Sequence, residues 1–182
     1  MGDPPAYSLL FALPSAEAWR RALSNSASSR NPGGLDGAES AAGDDALAVG
    51  TEGYAGDVTY KLEGVGYPTV EHAFQAAKTV DEDERKTIRE ASSPSKAKRL
   101  GRAVKLRSDW ESIKIDLMRD LLRQRFADPQ LAELLRATGE RQLIEGNTWN
   151  DRFLGVCGGA GKNWLGRLLM EVRAELHSRT NV

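Results

Sequence analysis

Hydrophobic and polar positions divide the chain of 182 residues near residue 57 into two parts with different patterns. From 24 to 56 the residues are mostly Ser, Gly, Ala, Asn and Asp. Few of them have large apolar side chains, so little burial would offset the conformational entropy that ordering costs. This pattern predicts a long flexible loop. Ahead of it, a short strand is predicted over 7–13 and a short helix over 16–23.

The second part begins with alternation and continues with helical spacing. Val58, Tyr60 and Leu62 alternate with polar residues and predict a strand that ends at Gly64 and Gly66. Beyond it, apolar residues recur three and four positions apart, as on one face of a helix. A second helix is predicted over 83–91, and a short strand over 142–144. The N-caps predicted for the other helices are Thr69, Ser93, Ser108 (with Glu111 as a capping box), Asp128 and Asn163.

The apolar faces of these helices form the candidate core. Together with the length of the chain, they predict one compact, mostly helical domain with a few short strands. We expect residues 1–56 to be an N-terminal segment of this domain and residues 57–182 to carry its pattern of helices and short strands. The candidate core residues are Val70, Ala73, Phe74, Ala77, Ala97, Leu100, Val104, Ile113, Leu117, Met118, Leu121, Leu122, Leu131, Leu134, Leu135, Leu165, Leu168, Leu169, Val172 and Leu176.

Composition narrows the classes of protein that remain. The chain is 40% hydrophobic and 28% charged, with no apolar run near the roughly 20 residues of a membrane span, so a transmembrane protein is excluded. Twenty-five Lys and Arg against 26 Asp and Glu leave a net charge of -1, so any basic site must be local. A single cysteine, Cys157, favours a reducing compartment. The first residues do not form a signal peptide, and we expect a cytosolic or nuclear protein.

A glycine-rich stretch over 158–163 runs directly into the last predicted helix. Gly158, Gly159, Gly161 and Lys162 therefore stand where free backbone N–H groups and the helix dipole favour an anion, and they are candidates for binding phosphate. The stretch does not match a Walker A loop, because Asn163 follows the lysine where Ser or Thr is expected. The alternative is a flexible loop before a capped helix.

Glu71 lies in the first turn of a predicted helix, where the dipole tends to keep a carboxylate ionised. An ionised carboxylate suits a base, a nucleophile or a group that stabilises a cation, although glutamate is also simply favourable at a helix start. The neighbouring His72 could carry a proton, and we expect it to be a substrate-binding residue. With two histidines in the chain, a histidine-based metal site is improbable, and we expect neither a metal nor a cofactor.

One local basic cluster and two tryptophans add to the candidates. The cluster either forms a solvated helix face or brings two or three cations to a phosphate. Gly101 within this helix indicates close packing there. Trp110 and Trp164, each in the first turn of a helix, are core residues or stacking surfaces for a base. The cluster consists of Lys96, Lys98, Arg99, Arg102, Lys105 and Arg107.

Several ordered segments resemble the YbiA-like, or NADAR, family. The segment Tyr67-Pro-Thr-Val-Glu-His-Ala-Phe-Gln-Ala-Ala-Lys78 is similar to the signature of that family. Later segments over 91–102, 106–110, 151–155 and 163–173 follow in the order of the family's later blocks. The resemblance runs from about residue 58 to residue 176.

The resemblance implies a single helix-rich α+β domain with residues 57–182 as its catalytic core, and an N-glycosidase that needs no metal. Related proteins cleave the bond between a base-like amine and a phosphorylated ribose, in early riboflavin-pathway intermediates or in ADP-ribose attached to guanine. By position, Glu71 matches the family's essential glutamate, Asp151 its acidic residue in the glycine-rich block, and Trp110 and Trp164 aromatics near the pocket. Two positions depart from the family pattern, with Ser26 in place of an aromatic residue and Leu154 in place of tryptophan.

These observations together predict an N-glycosidase in which Glu71 stabilises a ribosyl cation or activates water. Asp151 is expected to orient the ribose or assist proton transfer, while Lys98, Arg102 and the glycine-loop N–H groups hold the phosphate. The expected partner is a phosphorylated ribosyl or ADP-ribosyl substrate, with ADP-ribosylated nucleic acid as one form of it. A non-catalytic ADP-ribose or nucleotide reader and a protein-interaction domain are the alternatives.

Overall fold

A computed structural model describes residues 7–8, 59–147 and 150–180 of the chain. The helix predicted over 16–23 and the loop predicted over 24–56 lie outside these residues. The strands are β1 (Tyr7–Ser8), β2 (Tyr60–Leu62), β3 (Val65–Tyr67) and β4 (Leu143–Ile144). The helices are α1 (Val70–Ala76), α2 (Glu82–Arg89), α3 (Pro94–Gly101), α4 (Trp110–Arg125), α5 (Pro129–Arg136) and α6 (Trp164–Thr180).

The first alternating segment forms a hairpin rather than the single predicted strand. Strands β2 and β3 pair antiparallel, with Tyr60 opposite Tyr67. The turn between them places Glu63 and Gly64 at φ 51° and 83°, a left-handed geometry that matches strand twist in tight hairpins. Gly66, predicted to end the strand, therefore lies inside β3. The side chain of Gln124 fastens this hairpin to α4, because it accepts from the N–H of Lys61 and donates to its carbonyl.

The short strand predicted near residue 143 is confirmed, and it pairs with the N-terminal strand. Strand β4 pairs in parallel with β1, with Leu143 opposite Tyr7. The predicted fold class, a helix-rich α+β domain with a few short strands, is therefore confirmed. In the described part of the chain, no helix combines the length and the apolar character that crossing a membrane requires.

Three of the predicted helix N-caps form the expected hydrogen bonds. The side chain of Thr69 accepts from the N–H of His72, and that of Ser93 accepts from the N–H of Lys96. Asp128 accepts from two N–H groups in the first turn of α5. The second helix starts one residue earlier than predicted, and Asp81 caps it. A short polar side chain directly before an apolar face therefore located these helices reliably.

Two predicted caps do not form the expected hydrogen bonds. Helix α4 begins after Asp109 instead of at the predicted Ser108–Glu111 capping box, and no side chain caps it. The carboxylate of Asp109 instead pairs with Arg107. Asn163 has φ of 52°, and its side chain accepts from the N–H of Glu145 and donates to the carbonyl of Leu143. It thus fastens the start of α6 to β4.

Helix α1 is the centre of the core. It packs against α2, α3, α4 and the hairpin, and every residue of the helix is buried. Helix α6 packs against α4, α5 and β4. Most of the predicted core residues are buried, and the exceptions are only partly buried: Leu100, Val104, Ile113, Leu117 and Leu134. Because the whole of α1 is enclosed, its polar residues are held against neighbouring elements instead of facing bulk water.

Candidate active site

A cavity of about 270 Å³ opens where three separate parts of the chain meet. Helix α1 supplies one wall, the C-terminal half of α3 a second, and the segments over 145–147 and 150–154 a third. Polar side chains dominate the lining, with both signs of charge present. The described lining residues are Glu71, Phe74, Gln75, Lys78, Lys98, Arg102, Glu145, Asn147, Asn150, Asp151 and Leu154.

Three polar residues of α1 and the turn that follows it face the cavity because they recur at helical spacing. Glu71, Gln75 and Lys78 stand at positions i, i+4 and i+7, which share one face of a helix. The amide of Gln75 donates a hydrogen bond of 2.8 Å to Glu71 Oε1. Glu71 is 7% exposed and Gln75 is 4% exposed. The carboxylate is therefore held by a buried partner at the wall of the cavity.

Burial and the neighbouring polar and charged groups act in opposite directions on the pKa of Glu71. Removal from water raises the pKa of Glu71 above its ordinary value. The hydrogen bond from Gln75 and the charges of Lys98, Lys78 and Arg102 act in the opposite direction. Burial therefore opposes the expected effect of the helix dipole, because desolvation favours the neutral carboxyl group.

Three cations surround Glu71 from two helices and the residues that follow them. Lys78 lies in the turn that follows α1, while Lys98 and Arg102 lie at the C-terminal end of α3 and just beyond it. Burial lowers the pKa of Lys78, and the charges of Glu71 and Asp151 counter part of that change. The ammonium of Lys78 also lies 5.9 Å from the centre of the Trp110 ring. A phosphate or another anion entering the cavity would meet this positive side.

Asp151 forms the opposite wall and is fixed by its own turn. Its Oδ1 accepts from the N–H groups of Phe153 and Leu154, at 3.0 and 2.9 Å. Asn147 holds the same turn from behind, because its side chain accepts from the N–H of Asp151 and donates to its carbonyl. Asp151 is therefore a rigidly placed, half-buried carboxylate that faces the cavity with Glu71.

Several cavity residues were missed by the sequence analysis. Gln75 and Lys78 share the helix face of Glu71, and that spacing was a usable signal for both. Phe74 supplies the aromatic wall and packs on Trp110, with ring centres 5.1 Å apart. Glu145 is 2% exposed, yet it follows a two-residue strand in an irregular segment where no periodicity marks it. Asn147 and Asn150 lie in the same kind of segment.

The glycine-rich stretch does not line the cavity, contrary to prediction. The N–H groups of Lys162, Trp164 and Leu165 donate to the carbonyls of residues 152, 153 and 154, so they are not available to an anion. Gly158 and Gly159 have positive φ and form a tight turn between Cys157 and Ala160. Gly161 packs so closely that a Cβ there would lie 2.8 Å from Val156 Cα. These residues shape the segment that carries Asp151.

Three further candidates also lie outside the described lining. His72 is 2% exposed: its Nε2 donates to the carbonyl of Ala91, and its Nδ1 accepts from the hydroxyl of Thr69. This arrangement leaves it no contact with a substrate and corrects its prediction as a binding residue. Trp110 is buried behind Phe74. Trp164 packs 6.4 Å from Phe153 on the outer side of the turn, so stacking on a base by either tryptophan stays a prediction.

The mixture of cations, amides and carboxylates in the cavity lining suits an organic anion better than a metal ion. Glu71, Glu145 and Asp151 alternate with amides and cations around the cavity wall. Within residues 59–147 and 150–180, no three His, Cys, Asp or Glu side chains come together as a metal-binding group. That the activity needs no metal stays a prediction.

The fold and the cavity together define a class: a helix-rich α+β domain with a buried glutamate beside a cation-lined cavity. A sequence model of the NADAR domain matches residues 47–177. N-glycosidase YbiA of Escherichia coli is 48% identical over 120 residues, which cover 64% of this chain and 74% of YbiA. A riboflavin biosynthesis protein of Vibrio vulnificus is 38% identical over 119 residues, covering 63% and 32% of the two chains.

A solved structure agrees with these sequence comparisons. The NMR structure of E. coli YbiA superposes with a TM-score of 0.61 at 44% identity, covering 67% of this chain and 74% of that chain. The chain belongs to the NADAR domain family.

Proposed function

We propose that this protein is an N-glycosidase, a hydrolase that cleaves the bond between a base-like amine and a phosphorylated ribose. The observation that carries the proposal is the cavity itself, in which buried Glu71 faces a second carboxylate, Asp151, beside Lys98 and Arg102. Two carboxylates across a cavity are the machinery of glycoside hydrolysis in general. The names of the relatives, an N-glycosidase and a riboflavin biosynthesis protein, support the same class of reaction.

In the proposed reaction the bond from ribose C1 to the amine nitrogen breaks, and its electron pair leaves with the nitrogen. Ionised Glu71 stabilises the oxocarbenium ion that develops on the ribose, or takes a proton from the attacking water. The water oxygen then bonds to C1, and the released proton is delivered to the leaving amine. Asp151 orients the ribose hydroxyl groups or assists this transfer.

Lys98 and Arg102 hold the substrate phosphate in this proposal. Lys98 lies on α3 and Arg102 directly follows it, and both line the same cavity as Glu71 and Asp151, so a phosphate bound to them would bring the ribose to the two carboxylates. Binding energy gained at the phosphate is thereby used to orient the reacting carbon. The N–H groups of Lys162, Trp164 and Leu165 have no part in it, because they already donate to carbonyl groups.

The test is release of free base by the purified protein from two classes of substrate. One is DNA that carries ADP-ribosylated guanine, and the other is a phosphorylated ribosylamino-pyrimidine of riboflavin biosynthesis. Release from either, abolished in Glu71→Gln, supports the proposal and identifies the substrate class. Binding of ADP-ribose without release of base from any of these compounds would instead favour a non-catalytic nucleotide reader.

A further inference from the structure

The amide of Gln75 lies between two helices at their closest approach. Its Nε2 donates to Glu71 Oε1, and its Oε1 packs against Gly101 at the end of α3. A Cβ added to Gly101 would overlap this oxygen and would lie 2.7 Å from Gln75 Cβ. A glycine is therefore the residue that this contact allows.

Gln75 is held in this orientation without a full set of hydrogen bonds. Among the described residues, its Oε1 is buried and has no hydrogen-bond partner. Buried polar atoms are nearly always paired. The unpaired Oε1 therefore indicates that the hydrogen bond donated by Nε2 fixes the orientation of the amide. The amide donates to Glu71, where its N–H is aimed at the carboxylate oxygen. Rotating the amide would place two acceptor oxygens against each other.

We propose that Gln75, fixed by Gly101, is a positioning residue that orients the Glu71 carboxylate toward the cavity and favours its ionised form. This inference rests on the proposed N-glycosidase function for its role in catalysis. The end of α3 that contacts α1 also contains Lys98 and is followed by Arg102. Gly101 therefore sets the spacing between the Glu71 carboxylate and these two cations.

Charged groups from every wall of the cavity act on Glu71, in addition to the hydrogen bond from Gln75. Lys78 lies just after the same helix, and Lys98 and Arg102 come from α3 and its C-terminal end. Glu145 and Asp151 belong to the third wall. The hydrogen bond from Gln75 opposes the effect of burial on the pKa of Glu71. Removing the donor while leaving these charges in place therefore raises the pKa of Glu71.

The experiment compares Gln75→Met with Gln124→Met in the full-length protein. Methionine keeps the length of the side chain and removes the donor. Gln124 is the matched control, because it makes two hydrogen bonds to Lys61 in the fold and lies outside the described cavity lining. The protonation of Glu71 is followed by carbon NMR of labelled glutamate, with the resonance assigned by its loss in Glu71→Gln.

We expect Gln75→Met to raise the pKa of Glu71 and to shift the acid limb of kcat/KM to higher pH. We also expect kcat to fall about ten- to a hundredfold, with a smaller change in KM. Gln124→Met should lower the melting temperature and leave the pH profile unchanged. An unchanged pKa in Gln75→Met, or an unchanged pH profile despite a raised pKa, overturns the inference.

Gly101→Ala tests the same contact through a change on the other helix. Its added methyl group displaces the amide, so the pKa of Glu71 should rise as in Gln75→Met, and this variant replaces Gln75→Met if that one does not fold. A wild-type protein that releases no base from any N-glycoside would overturn the proposed function. The NMR titration would still decide whether Gln75 sets the ionisation of Glu71, so the two failures are distinguishable.

Discussion

At the scale of single residues, the opposing effects of burial and of neighbouring groups on the pKa of Glu71 determine which form of its carboxyl group reacts. Its position in the first turn of α1 correctly marked it as a candidate, and the structure brings it to the cavity. The sequence could not give its environment, because burial depends on α3 and on the segments over 145–154, which are distant along the chain. The same holds for Glu145, whose enclosure arises from contacts that no local pattern records.

Burial of the Glu71 charge predicts that Glu71→Gln is at least as stable as the wild type and nearly inactive. The raised pKa means that stabilisation by the bound proton is complete below the unfolded-state pKa and is lost as pH rises through the folded-state pKa. Glutamine stays neutral and keeps an oxygen that accepts from Gln75. Thermal unfolding in acidic and mildly alkaline buffer should show the advantage of Glu71→Gln growing with pH.

A different result would assign Glu71 to helix formation alone. If its charge mainly serves the helix dipole, Glu71→Gln should lose about 0.3–1 kcal/mol of unfolding free energy. It should then retain its turnover. Either outcome is measured on the same preparation by unfolding and by release of base.

The pH dependence of activity provides a second prediction at this scale. Because ionised Glu71 is the reactive form, kcat/KM should rise with pH through the raised pKa of Glu71. The acid limb should therefore inflect above ~4.3, the value for an ordinary glutamate. Burial lowers the pKa of Lys78, so any alkaline limb caused by loss of its charge should fall below ~10.4. An acid limb at or below the ordinary glutamate value would contradict the proposed role of Glu71.

At the scale of elements, sequence pattern predicted the helices well and their irregular connections poorly. Thr69, Ser93 and Asp128 cap their helices as expected, since a cap is a local hydrogen bond between residues two or three apart. Asn163 was predicted to cap in the same way, but a strand twenty residues earlier in the chain takes its side chain. The end of the glycine-rich stretch shows the same limit, because the carbonyl groups of residues 152–154 accept from the N–H groups at 162, 164 and 165.

Helix α3 yields a prediction that separates phosphate binding from ordinary surface charge. Replacing Lys98 or Arg102 with alanine should lower kcat/KM about ten- to a hundredfold for a phosphorylated substrate, the effect of losing one charge-assisted hydrogen bond. A dephosphorylated analogue should be nearly unaffected. Lys96→Ala is the matched control, because Lys96 is exposed on the same helix and outside the described lining.

Salt and substrate comparisons sharpen this test. The net charge of -1 leaves little long-range attraction for anions, and repeating the assay at two salt concentrations removes what remains. Equal losses on both substrates would mean that Lys98 and Arg102 support the helix and that the phosphate binds elsewhere. Losses of the same size in Lys96→Ala would indicate a diffuse effect of charge.

At the scale of the whole molecule, the cavity depends on how the C-terminal helix holds the third wall. The side chain of Asn163 forms hydrogen bonds with Leu143 in β4 and with Glu145, the first residue after β4. Gly166, one turn into α6, packs so closely on this strand that a Cβ there would overlap the carbonyl of Leu143. The helix therefore presses the strand and its following segment toward α1, which positions Glu145, Asn147 and Asp151.

This arrangement predicts that Asn163→Ala weakens both the fold and the site. The change leaves a buried N–H and a buried carbonyl unpaired, at a cost of about 1–3 kcal/mol each. It also loosens the wall that carries Asp151, so KM for the substrate should rise. The measurements are chemical unfolding and steady-state kinetics at a temperature where the variant is folded.

Arg173→Met is the control that separates stability from the shape of the site. Arg173 is buried farther along α6, where it donates to the hydroxyl of Thr138 and the carbonyl of Arg141. Losing these bonds should lower stability by an amount comparable to Asn163→Ala, while leaving KM unchanged because neither partner lies in the described lining. If both variants lose stability and neither changes KM, the turn over 150–154 holds its shape through its own hydrogen bonds, and α6 contributes to the fold alone.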